Sequence, residues 1–200
     1  MPLHFLQMNE NDDGSLIKPM GVKKGIKEFG DKVIQALMKE FIRFEDLDVY
    51  KGIMTNTLTS EQKKKALRAI SIIKMKRSGI IKGRTVGDGR IQRDLYSKEE
   101  TSSPTPSNGT FMMSLLIGAL EQRVVGCGDI PGAYLQAKMK DFTVIKYTGE
   151  SVNILCKVNP KYKKYVTIEN SKRVIYIRLL KVLYGCVQSG LLWYELFWEC

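Results

Sequence analysis

The spacing of apolar positions changes several times along the chain, and each change predicts an element. Between Lys23 and Phe44 they fall at Ile26, Phe29, Val33, Leu37, Phe41 and Phe44. Steps of three and four make one helical stripe, interrupted at Gly30. Thr59-Ser60-Glu61-Gln62 has the form of a capping box, so a short basic helix through Lys63, Lys64, Lys65 and Arg68 should follow. From Ile70 to Lys76 the composition turns β-type. Arg77-Ser78-Gly79 reads as a turn, Ile80 to Val86 as the returning strand, and Gly87-Asp88-Gly89 as its end. Thr110 to Gln122, capped by Ser107 or Asn108, is apolar almost all round, which predicts a buried helix. Val124 and Val125 predict a buried strand that stops near Asp129, because Pro131 cannot donate to a ladder. Ala133 to Met139 reads as a turn of helix. Phe142 to Tyr147 and Val152 to Val158 read as strands, Tyr165 to Ile168 and Val174 to Leu179 as a hairpin, and Gln188 to Trp198 as a helix. Met1 to Met20 reads as irregular, and Asp46 to Asn56 as a connection.

The last helix changes the picture. Leu191 to Trp198 is apolar except for Glu195, so it needs cover on nearly every side. Either a protein partner supplies that cover or the chain is cut short. Two hundred residues make one domain, or most of one behind an extra N-terminal element. No apolar run reaches the length of a membrane span, and no secretory signal is visible. Cys127, Cys156, Cys186 and Cys200 are too evenly scattered for a zinc signature or a disulfide framework, which predicts reduced thiols and an intracellular, cytoplasmic or nuclear protein. His4 is the single histidine, which argues against histidine-based triads and metal sites.

Charge is uneven. Residues 1–60 carry 8 basic and 9 acidic side chains, a net −1, whereas residues 61–100 carry 12 and 5, a net +7. That basic block is either a solvated face or a surface for an anionic partner, most simply nucleic acid. Its predicted hairpin holds Lys74, Lys76, Lys82 and Arg84. Downstream, Gly126-Cys127-Gly128-Asp129-Ile130-Pro131-Gly132-Ala133-Tyr134-Leu135-Gln136 sets a carboxylate before a Pro-Gly turn. Asp129 there either caps a helical turn or offers oxygen to a hard cation such as magnesium.

The wording of this stretch resembles the first aspartate motif of copia-type retrotransposon reverse transcriptases, Asp-x-x-x-Ala-Phe-Leu and a polar residue. Two more matches follow the family's order. Lys82-Gly83-Arg84-Thr85-Val86 is similar to its Lys-Ala-Arg-Leu-Val fingers segment, with Gly83 and Thr85 departing from it. Leu183-Tyr184-Gly185-Cys186-Val187-Gln188-Ser189 with Trp193-Tyr194 is similar to its Leu-Tyr-Gly-x-x-Gln…Trp-Tyr motif. The resemblance runs from about Thr59 to Trp198.

It implies an α/β (α+β) fold: fingers and part of a palm, an antiparallel sheet with packed helices, residues 59–200 forming a partial reverse transcriptase domain behind a helical or irregular segment at 1–58. It implies magnesium-dependent addition of deoxynucleotides to a primer on an RNA or DNA template. Asp129 would ligate Mg2+ and serve catalysis, with the Ile130 carbonyl as a further ligand. Tyr134 would stand under the sugar and exclude a 2′-hydroxyl. Lys82 and Arg84 would steady the triphosphate, and Gln188 would help form the nucleotide pocket. Without the family, Tyr134, Trp193 and Tyr194 read as core aromatics, Lys82 and Arg84 as surface cations, and Gln188 as a helix cap or surface residue. The family's Tyr-x-Asp-Asp box is absent, and no Asp follows Asp141. The chain as given is therefore expected to lack polymerase activity. A non-enzymatic nucleic-acid binder, or an interaction module docking through its last helix, is the alternative.

Overall fold

A computed structural model describes residues 19–126 and 128–199. His4, Cys127, Cys200 and the predicted irregular stretch as far as Lys18 lie outside the described residues. In chain order the elements are β1 (Met20–Gly21), α1 (Val22–Phe29), α2 (Asp31–Asp46), β2 (Tyr50–Ile53), α3 (Ser60–Lys65), β3 (Leu67–Met75) and β4 (Ile81–Gly87). Then come α4 (Asn108–Leu120), β5 (Val144–Thr148), α5 (Glu150–Val158), β6 (Val166–Glu169), β7 (Lys172–Leu179) and α6 (Ser189–Glu199).

The long helical stripe is real but broken. At Gly30 the backbone takes φ 57°, a region open to glycine, and the chain restarts as a second helix. The capping box at α3 is closed in both directions: Thr59 Oγ1 accepts from the Gln62 N–H at 3.1 Å, and Gln62 Oε1 accepts from the Thr59 N–H at 2.9 Å. The β6–β7 hairpin turns on Asn170 and Ser171, both at positive φ, the backbone of a tight two-residue hairpin turn.

One mixed, seven-stranded sheet runs β1-β3-β5-β7-β2, with β4 beside β3 and β6 beside β7. It is not purely antiparallel. Leu67 and Arg68 at the start of β3 pair in parallel with Ile145 and Lys146 of β5, while the rest of β3 pairs antiparallel with β4 from Ala69↔Gly87 to Met75↔Ile81. Residues on both sides of position 58 share this sheet and its core, since β2 pairs with β7 and α2 packs on β4.

The core lies between α2, α5 and the sheet. Val33, Leu37, Phe41 and Phe44 present the α2 stripe to Ile145, Tyr147, Ile175 and Ile177, all fully buried. Phe41 meets the Tyr147 ring edge-on at 5.8 Å, and Phe44 meets Tyr50 at 5.7 Å. Glu45, one residue beyond the stripe, accepts from the Tyr162 hydroxyl, from Asn159 Nδ2 at 2.8 Å and from Lys161 Nζ at 2.7 Å, tying α2 to the segment after α5.

Four expectations fail. Asp46 to Asn56 is not just a connection, because it contains β2. Met20 is a strand residue, paired with Ile73. Val152 to Val158 is helix, not strand: Val152, Leu155 and Cys156 share one face and are buried, a spacing that outweighs the β-branched composition. Val124 and Val125 form no strand. They have no pairing partner among the described residues, stand beside Gly126, and are 99% and 60% exposed. The burial predicted for α4 fails too. Ser107 caps it as predicted, but Gly118 is its one buried residue, and Phe111, Met112, Met113 and Leu116 stand more than half exposed. Ser107 fixes its start, but with Gly109 and Gly118 inside it propensity does not account for a helix this exposed.

Candidate functional site

The β3–β4 hairpin sorts its residues by alternation. Gly83, Thr85 and Gly87 point under α2 and into the body, so Lys82 and Arg84 point out. Gly83 is where α2 comes closest: a Cβ there would stand 2.9 Å from Leu37 Cδ2 and 3.2 Å from the Leu37 main-chain nitrogen. The edge of β4 away from β3 has no strand partner among the described residues and runs beside α2, and its Thr85 N–H donates to the carboxylate of Glu40. Burial pushes Glu40 up from the ordinary carboxylate range, while that donor and nearby Arg43, Arg84 and Lys82 pull it back.

The end of β4 lies directly on the Tyr184-Gly185-Cys186 turn. The Gly87 N–H donates to the Tyr184 carbonyl at 2.8 Å. Gly185 has φ 90°, and a Cβ on it would collide with the Gly87 carbonyl, just as one on Gly89 would collide with the Gly185 carbonyl. Two of the three motif-bearing stretches are thus joined backbone to backbone, which only glycine permits. Tyr184 is thereby held under the Arg84 guanidinium, which lies 5.0 Å from its ring centroid, with the Tyr134 ring tilted against it at 5.4 Å.

A hollow of about 430 Å³ opens here, walled by Arg43, Lys82, Arg84, the Asp129–Tyr134 loop, Tyr184 and Trp193. Asp129 is exposed in irregular chain rather than at a strand end, and it faces the hollow along with Ile130. Of the residues singled out from sequence, Asp129, Ile130, Tyr134, Lys82 and Arg84 come together. Gln188 does not. It immediately precedes α6, its main-chain carbonyl accepts from the Leu192 N–H at 3.0 Å, and its side chain is buried with Oε1 unpartnered.

No family model, no curated protein and no solved structure matches the chain.

Arg43 carries no motif and was not singled out from sequence. It is the basic residue of the last turn of α2, beside the apolar stripe, and its guanidinium rests on Gly132, at φ 69°, where it would collide with any side chain. Position on the helix alone could have raised it, since Glu40 and Arg43 lie one turn apart.

Among the described residues no three His, Cys, Asp or Glu side chains gather as a metal group. Asp129 is one carboxylate among three cations. One carboxylate could hold magnesium only with phosphate and water completing its shell, whereas the three cations suit an anion. Arginine forks and a lysine point charge suit phosphate oxygens, and the Tyr134–Tyr184 pair offers aromatic faces for a base or sugar. The far end of α6 stays open: Phe197 and Trp198 are 56% and 78% exposed. No helix among the described residues is long and apolar enough to cross a membrane.

Proposed function

We propose that this hollow is the nucleotide-binding part of a polymerase site of the copia-type reverse transcriptase kind, in fingers and partial palm. Lys82 and Arg84 hold the phosphates of a deoxynucleoside triphosphate. Tyr134 and Tyr184 take the sugar and base, with Tyr134 excluding a 2′-hydroxyl. One observation carries the reading: three stretches far apart in sequence, each similar to a motif of that family, line or buttress a single hollow. The parent reaction is template-directed DNA synthesis. In such sites two metal ions clamp the attacking and leaving oxygens. Among the described residues Asp129 is the one carboxylate that lines the hollow, so the chain is expected to bind nucleotide without extending a primer.

Trp193 lines the hollow, so its fluorescence gives a direct titration. A deoxynucleoside triphosphate should quench it saturably, and Lys82→Ala or Arg84→Ala should weaken binding by at least ~10-fold, the range for losing a charged hydrogen bond. Tyr134→Val should narrow the preference for deoxy over ribo. Saturation absent at millimolar ligand, or affinity unmoved by the hairpin variants, overturns the proposal. The excess of cations over carboxylates also suits a second reading, a non-catalytic nucleic-acid binder. Salt-dependent oligonucleotide binding, with no saturable nucleotide site and no change on Asp129→Asn, would favour it.

A further inference from the structure

The helix α2 lies before the stretch that resembles a reverse transcriptase, yet its Arg43 lines this hollow and its Glu40 lies within the field of the hollow's cations. Its register on β4 explains how. Leu37 packs over Gly83, so Glu40, one turn on, reaches Thr85, and Arg43, one more turn on, reaches the hollow and the Asp129–Tyr134 loop. Arg43, Lys82 and Arg84 close no ion pair with a carboxylate among the described residues. All three lie in the field of Glu40, which is outside the lining, and Asp129 lines the hollow with them. Glu40 is itself held in place by the Thr85 N–H and half-buried, so it cannot swing out to water as a surface carboxylate would.

We infer that α2 completes the anion site: Arg43 is a third phosphate-binding residue, and Glu40 is a resident counter-charge that offsets the three cations until a polyphosphate replaces it. This rests on the reading that the hollow binds nucleotide phosphate. It extends that reading by assigning the tail a contact from the N-terminal segment and by favouring a ligand with several negative charges. An orthophosphate dianion engages two cations and leaves the third to Glu40. A polyphosphate chain spans all three, so its gain over orthophosphate depends on Arg43. Because the Arg43 guanidinium also rests on Gly132, the same contact couples phosphate binding to the Asp129–Tyr134 loop. The groups facing Glu40 are Arg43 on its own helix, Lys82 and Arg84 of β4, Tyr147 of β5 and Tyr50 of β2.

The test uses the whole 200-residue chain with inorganic tripolyphosphate and orthophosphate as probes, followed by calorimetry at fixed ionic strength. Tripolyphosphate should bind at least ~10-fold tighter than orthophosphate. Arg43→Ala should remove most of that advantage, Arg43→Lys should keep part of it, and Glu40→Gln should tighten tripolyphosphate by about threefold or more. Circular dichroism on each variant shows that it is folded; Arg43→Lys and Glu40→Gln carry the test if Arg43→Ala is not. Loss of binding in Lys82→Ala or Arg84→Ala with both Arg43 variants within about twofold of the parent overturns the inference and leaves the nucleotide reading standing. Indifference of all the cation variants sinks both. Glu40→Gln that weakens tripolyphosphate also overturns it, since the carboxylate would then be helping the site.

Discussion

Gly83→Ala tests how closely α2 is seated on the hairpin. The added methyl would stand 2.9 Å from Leu37 Cδ2 and 3.2 Å from the Leu37 nitrogen. Carbon contacts settle near 3.5–4.0 Å, so α2 must retreat by roughly half an ångström or more. Leu37 cannot swing aside, because it is fully buried. Two effects oppose each other. Replacing glycine restricts the unfolded chain and gains ~0.4–1 kcal/mol where the backbone allows it. Overpacking a filled core costs ~1–3 kcal/mol. The second wins, leaving a net loss of about 1–2 kcal/mol. For a domain of this size that lowers Tm by roughly 2–8 °C. Urea unfolding followed by circular dichroism should show a lower midpoint at an unchanged slope. Nucleotide affinity should fall as well, because Arg43 rides on the displaced helix. A variant as stable as the parent, or more so, refutes the close seating and with it the route by which Glu40 and Arg43 reach the site.

Three further outcomes follow from single side chains. Glu45 is pushed up by burial but held lower overall by Lys161, Tyr162 and Asn159, so its contribution is present above its ordinary value of 4.5 and is lost as pH falls through the lower folded value. Glu45→Gln should therefore cost ~1–3 kcal/mol at neutral pH and progressively less below about pH 4.5, read from unfolding midpoints across pH. Glu40 has the opposite sign, since its folded value is raised. Ionised Glu40 weakens the fold as pH rises through that value, so Glu40→Gln should raise Tm at neutral pH, with the gain vanishing in acid. The Tyr147 hydroxyl is buried without a partner among the described residues, whereas that of Tyr162 is bonded to Glu45. Tyr147→Phe should leave Tm unchanged or higher, and Tyr162→Phe should lower stability by ~1–2 kcal/mol; equal losses would refute the distinction.

What could be read from the residues was local. The α3 capping box, the basic hairpin and the turn at Asn170-Ser171 each depend on neighbours within a few positions. β2 was missed because four residues, Tyr50 to Ile53, make a strand only by pairing with β7 far downstream. Gly52 inside it weakens any local signal, and it is there because the Tyr165 ring lies against it. α5 reads as strand by its β-branched composition, whereas the spacing of Val152, Leu155 and Cys156 folds it as helix. Within the site, the motif residues were legible as types, but their convergence was not. Gly185 on Gly87 and Arg43 on Gly132 are contacts between distant segments, and no local pattern marks them. Gln188 was placed by motif alone, and burial before α6 takes it out of the hollow.

The hollow draws its walls from positions between Arg43 and Trp193, about 150 residues apart. A ribosome adding ~5–20 residues per second would separate the two by roughly 8–30 s. α2 would emerge well before β5 and β7, leaving the stripe of Leu37, Phe41 and Phe44 without the Ile145, Tyr147, Ile175 and Ile177 side chains that cover it. The nascent chain should therefore lean on a chaperone early, and ligand capture should be among the last properties it acquires.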